Sequence, residues 1–203
     1  MTDAAVGAVA VESRRARTGT RALSVVLGVV AGIAIVYGLG VMHGSGDPWA
    51  GTTVLTPATS LGAASLCYLA AAAVGIRWVA WAALPIAANL PFLGLLAPIP
   101  WWGVVAIVSG LVTVVGLWRN RHATVVQAVA MLAYFGLGVA ALSLASSAGL
   151  ALAGAALTAH VAWNVHHHRK DTVVTRSFAV WCAALDLTVG GISLVLAVTG
   201  TAA

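Results

Sequence analysis

Uninterrupted apolar runs, each close to the length of a bilayer crossing, recur along the chain, and no other feature restricts its fold as strongly. A helix needs about 20 residues to cross roughly 30 Å of hydrocarbon. Inside hydrocarbon every backbone polar group must be paired within the segment, which a helix achieves alone. A soluble protein with a very apolar core is the competing explanation, and composition decides against it. Only 7% of the 203 residues are charged and 61% are hydrophobic, with a mean hydropathy of +1.01. Soluble domains carry about 25% charged residues, so this chain has too little charge to cover a wet surface. The sequence predicts an all-α polytopic membrane protein.

Seven spans are predicted, at residues 22–43, 57–76, 79–97, 102–118, 124–144, 147–165 and 174–198. The fifth and sixth must be separate, because residues 124–165 as one helix would reach about 63 Å. The small polar patch SLASSAG at 143–149 supplies the turn. Residues 1–21 are expected to be a disordered cytoplasmic tail, 22–198 the transmembrane bundle, and 199–203 a short outer tail.

Charge sets the expected orientation. With a cytoplasmic N-terminus, the inner segments hold Arg14, Arg15, Arg17, Arg21, Arg77, Arg119, Arg121, Arg169, Lys170 and Arg176, which are all 10 basic residues. The outer segments 44–56, 98–101, 145–146 and 199–203 hold none. That partition matches the excess of Lys and Arg on cytoplasmic loops, so the C-terminus is expected outside. Merging or splitting one span would send the later charges to the wrong face. The formal charge of +5 therefore reads as a topology signal. No basic stripe with interleaved aromatics is present, so no nucleic-acid partner is expected. Twin arginines before the first apolar run resemble an export signal, but the run is long for a signal core and no A-x-A site follows. An uncleaved first span is expected.

The preference for Arg over Lys, with abundant Ala, Val and Gly, suits a GC-rich bacterial genome and places the protein in the bacterial cytoplasmic membrane. Two cysteines, Cys67 and Cys182, both fall inside apolar segments and read as buried thiols. Trp49, Trp78, Trp101, Trp102, Trp118 and Trp163 sit near span ends, where amphipathic rings prefer the headgroup level. Gly28 and Gly32 form a GxxxG in the first span, the usual device for close helix approach.

Polar residues inside spans are the candidate site. Asp186 lies near the middle of the seventh span, where a carboxylate costs about 2.5–3.5 kcal/mol on insertion scales. Cys182, Asp186, Gly190 and Ser193 recur at helical spacing as one small-polar stripe. Leu185, Val189, Ile192 and Leu196 form the other face, suited to lipid. No span contains Lys or Arg, so Asp186 must find a neutral donor, a His, water or another subunit. In the third span Asn89 lies between Pro85 and Pro91. Each proline removes a backbone donor, so a kinked or broken helix is expected, with Asn89 available to a freed carbonyl. Tyr134 in the fifth span lies at a depth similar to Asp186. A substrate or proton site of Asp186, Asn89, Tyr134 and Cys182, hinged at Pro85 and Pro91, is the resulting expectation.

Four of the six histidines fall in AHVAWNVHHHRKD, residues 159–171. The first reading is an interfacial cap, with His160, His167 and His168 near the cytoplasmic face and cationic neighbours on anionic headgroups. A metal held by His160, His168 and Cys182 is the minor alternative, and pH sensing a third. Haem would need two His at matching depth, and His43 and His160 lie at opposite ends of their spans. A retinal Schiff base would need a lysine within a span, and the only lysine is Lys170 in a loop. No confident cofactor follows.

The first functional reading is a small transport or channel-like component, proton-coupled through Asp186 and expected to act as a homo-oligomer or with a membrane partner subunit. The second is a non-catalytic accessory or assembly subunit in which Asp186 pairs with a partner helix. The third is an intramembrane enzyme acting on a lipid or isoprenoid, with Asp186 as general acid and His160 assisting. No paired acids or nucleophile motifs favour this last reading.

Overall fold

The computed structural model describes the backbone of residues 3–42, 52–94 and 98–200, with side chains described from residue 18 to 38 in the first of these segments and throughout the other two. His43, Asp47 and Trp49 lie outside the described residues. The described chain is all helical: α1 (Asp3–Met42), α2 (Leu55–Val74), α3 (Val79–Leu93), α4 (Trp101–Arg119), α5 (Arg121–Ala141), α6 (Ser146–Lys170) and α7 (Arg176–Thr199). Six of these are long and apolar enough to cross a membrane, and α3 is shorter at 15 residues. The protein is a multi-pass membrane protein by the length and composition of its helices.

The middle of the bundle belongs to α2, because its sequence, LTPATSLGAASLCYLAAAAV, is built of small residues that let neighbours approach. Around it run α3, α4, α5, α6 and α7, while α1 packs outside against α7. Close approaches give the relative directions. A Cβ on Gly62 would meet Phe135 and Val105, and one on Gly116 would meet Ala73. Thus α4 runs parallel to α2, and α3 must carry the chain from one end of the bundle to the other. The GxxxG expectation also holds. A Cβ on Gly28 would collide with the Trp181 carbonyl oxygen, and one on Gly32 would lie 2.9 Å from Thr188 Cβ. These contacts place α1 parallel to α7.

The basic turns consequently share one end. Asp171 pairs with Arg77 and, at 3.3 Å, with Arg176. Arg77 Nε donates to the Val174 carbonyl at 3.4 Å, and Asn120 Nδ2 to the Ala72 carbonyl at 3.0 Å. Asp171 closes α6 in the left-handed conformation, with φ of 53°. Thr175 starts α7 by accepting from the Phe178 backbone N–H through Oγ1, the usual cap for an orphan donor.

Four expectations change. Helix α1 extends back to Asp3, through the segment expected to be a disordered tail; this Ala-rich stretch contains no proline and has high helix propensity. Helix α6 continues to Lys170 instead of stopping at 165, since apolarity ends at the membrane face while backbone hydrogen bonding does not. Helix α3 is continuous through Pro85 and Pro91, so the broken helix is not observed. Finally, Leu185, Val189 and Leu196 are buried, because α1 covers the α7 face assigned to lipid. The outward residues of α7 are Leu187, Val195 and Val198.

Candidate functional site

The longest shared surface in the bundle is the α6–α7 hairpin. Its close crossing comes from two glycines: a Cβ on Gly190 would lie 2.9 Å from the Gly154 carbonyl oxygen, and one on Gly154 would lie 2.9 Å from Ser193 Cβ. One turn from Gly190 towards the basic end, Asp186 points into this crossing and is wholly buried. Its position is about 15 Å along α7 from Arg176.

Asp186 has two donors on α6. His160 Nδ1 approaches Asp186 Oδ2 at 2.7 Å, and Asn164 Nδ2 donates to the same oxygen at 2.6 Å. Tyr68 on α2 then donates its hydroxyl to Asn164 Oδ1 at 2.6 Å. The order of donors is dictated by chemistry: a carboxylate accepts only, so the Asn164 amide nitrogen faces it and the carbonyl oxygen is left for Tyr68. His160, Asn164, Tyr68 and Asp186 are all buried. Asp186 Oδ1 has no hydrogen-bond partner among the described residues.

A second set lies nearer the basic end. Trp163 Nε1 donates to Gln127 Oε1 at 3.1 Å, and Gln127 Nε2 lies 3.0 Å from His167 Nε2. An indole is a donor only, so the Gln127 atom facing it is oxygen and its amide nitrogen donates to His167. His167 Nε2 therefore accepts, and the ring carries its proton on Nδ1. Tyr68 joins the two sets, its ring centroid 5.1 Å from that of His167 and 5.8 Å from that of His160. The result is two hydrogen-bonded sets joined by ring packing at Tyr68, reaching from near the basic end to the middle of α7. Beyond it lie Val36, Leu61, Leu157, Leu185 and Val189, an apolar cluster.

Of the residues singled out from sequence, Tyr134 joins this site through its ring, centred 4.9 Å from His160, and Cys182 is buried one turn from Asp186. Asn89 does not join. It is exposed on α3 and donates to the Pro85 carbonyl at 2.7 Å, neither of the carbonyls that the prolines free. His160 is buried within the bundle and lies ten residues before the end of α6, because that helix runs on to Lys170. The histidine cap divides in the same way: His166, Arg169 and Lys170 are exposed, His168 is half-buried, and His167 turns inward. Trp163 likewise points inward, while Trp78, Trp102 and Trp118 are exposed. Among the described residues no three His, Cys, Asp or Glu side chains gather as a metal-binding group, so the set His160, His168 and Cys182 is not assembled.

Sequence reasoning missed Tyr68, Gln127 and Asn164 as site members. One signal was present for Asn164: with His160 and His168 it forms an i, i+4, i+8 polar stripe facing the stripe of α7.

No protein-family model, curated protein or solved structure matches the chain.

Proposed function

We propose that this is a proton-coupled transport component of a bacterial cytoplasmic membrane. Its N-terminus is cytoplasmic, its C-terminus is outside, and all seven helices cross the bilayer, α3 as a short span. The location of every described basic turn at one end supports that orientation through the cytoplasmic excess of positive charge. Reporter fusions that put residues 119–123 outside would overturn it.

The observation that carries the transport reading is the Asp186–His160 pair, buried at mid-depth. Intramembrane ionisable pairs are costly and mark ion or proton pathways. Tyr68 and Asn164 extend the hydrogen bonding of Asp186 towards the cytoplasmic end, where the His167 ring packs against Tyr68, and Asp186 Oδ1 remains open to a further donor. Pairing within the chain also removes the need for a partner helix to satisfy Asp186, which ranks the accessory-subunit reading second.

The test is proton entry into proteoliposomes loaded with a pH-sensitive dye under an imposed potassium diffusion potential. Entry is expected to be faster with the wild-type protein than in empty vesicles, and to return to the empty-vesicle rate with Asp186→Asn. Wild-type vesicles no more permeable than empty ones, or an Asp186→Asn protein that conducts equally, would refute the reading.

A further inference from the structure

A groove of about 300 Å³ runs along the outside of the bundle between α1, α6 and α7. Its walls are almost entirely aliphatic, including Val25, Val161, Val165, Ala183 and Leu187, and Asn164 stands among them. Val25 and Leu187 are 43% and 56% exposed, so the groove opens sideways to whatever surrounds the protein.

Its basic end is distinctive. Because α1 and α7 run parallel and α6 runs against them, the start of α7 meets the C-terminal end of α6 at the level of Arg21, part-way along α1. Each helix places an arginine one turn beyond a groove residue, on the same helical face: Arg21 beyond Val25, Arg169 beyond Val165 and Arg176 beyond Val180. All three arginines are exposed. His168 also lines the groove, and its Nδ1 is shielded without a hydrogen-bond partner among the described residues. An aliphatic trough ending in Arg21, Arg169 and Arg176, the last also paired with Asp171, and in one free imidazole nitrogen is complementary to an amphiphile with an apolar tail and an anionic head.

We propose that this groove is a binding site for an anionic phospholipid of the surrounding bilayer. One acyl chain lies along Val161, Ala183 and Leu187, and the phosphate sits among Arg21, Arg169 and Arg176 with His168 beside it. The proposal rests on the membrane reading of the bundle and not on proton movement at Asp186, and a binding measurement separates the two.

The experiment is native mass spectrometry of the detergent-purified full chain titrated with phosphatidylglycerol or with phosphatidylcholine of the same acyl chains. One phosphatidylglycerol is expected to bind in preference. Arg21→Gln and Arg169→Gln are each expected to weaken it about fivefold, the scale of one cation at an anionic membrane surface. Ala183→Phe, which fills the trough, is expected to lower occupancy by both lipids. Leu187→Trp repeats that test at an exposed rim position, where the larger side chain is accommodated without repacking the core. Equal binding of the two lipids by the wild-type protein would overturn the proposal. So would loss of headgroup preference in the arginine variants without any loss of lipid in either groove-filling variant.

Discussion

Replacing Gly190 by alanine tests whether the α6–α7 crossing holds Asp186 in place. The added methyl would lie 2.5 Å from Thr158 Oγ1, 2.9 Å from the Gly154 carbonyl oxygen and 3.0 Å from the Thr158 backbone nitrogen. Two of these three atoms are backbone and cannot rotate away. Normal contact is about 3.5–4.0 Å, so the helices must separate by roughly 0.5–1 Å. The 2.7 Å contact of His160 with Asp186 would then lengthen to roughly 3.2–3.7 Å, at or beyond the edge of the useful range of a hydrogen bond. Overpacking costs about 1–3 kcal/mol, and a lost intramembrane hydrogen bond adds about 0.6 kcal/mol. The adjacent Gly191→Ala is the control, because nothing lies within 4 Å of its added Cβ. Both variants gain the same helix propensity, up to about 1 kcal/mol, so that contribution cancels between them. Gly190→Ala is thus expected to be less stable than Gly191→Ala by about 1.5–3.5 kcal/mol, measured as thermal melting in the same detergent. Adding Thr158→Ala should recover part of the loss by removing the nearest atom. Equal melting temperatures for the two glycine variants would refute the argument.

Tyr68→Phe removes only the donor to Asn164 Oδ1 and keeps the ring packing with Phe178; a loss of about 0.6–1.7 kcal/mol is expected, and no change in melting would show that the column does not depend on this bond. His167 is expected as the Nδ1–H tautomer, readable from ring nitrogen shifts in a labelled sample with His167→Gln as the assignment control; a proton on Nε2 would contradict the order of donors. Asp171→Asn retains a residue that tolerates the left-handed backbone but removes the charge facing Arg77 and Arg176. These side chains are substantially exposed, so the expected loss is below about 1 kcal/mol and shrinks further in high salt; a larger, salt-insensitive loss would exclude a surface ion pair as its cause.

Hydropathy located the helices because a bilayer enforces segment length, and the charge partition anticipated that the described basic turns share one end. Helix ends were less legible. Ending the sixth helix with its last apolar residue placed His160 near the membrane surface, whereas the helix continues through HHHRK to Lys170. The correct depth was available from register: His160 and Asp186 are equally distant in sequence from Val173, in the middle of the α6–α7 turn. Residues placed symmetrically about a short antiparallel connection lie at the same level. Tyr68 and Gln127 offered no such handle, because they belong to α2 and α5 and their proximity follows from helix order around the bundle. Asn89 misled because depth alone was matched, and α3 turns that side chain back along its own axis. The lipid face of α7 failed for a related reason: Gly28 and Gly32 were recognised as a close-approach motif, but the face they would cover was not deduced from them.

The same contacts restrict how Asp186 could ever meet water. Backbone atoms of α7 touch α1 at Gly28, and α6 and α7 meet through Gly154 and Gly190, so these three helices are locked by surfaces that leave little room to slide. By contrast, α6 and α7 are tied to the rest of the bundle mainly by side-chain links: Tyr68 to Asn164 on the α2 side, Gln127 to His167 and Trp163 on the α5 side, and at the basic end Arg77 to Asp171 and Val174 and Trp81 to Thr175. Hydrogen bonds of this kind average only about 0.6 kcal/mol each within membranes. A transport cycle that hydrates Asp186 is therefore easiest as a movement of α1, α6 and α7 together away from α2 and α5. In that movement Asn164 would keep its bond to Asp186 while releasing Tyr68, and the carboxyl group would meet water with both of its α6 donors still attached.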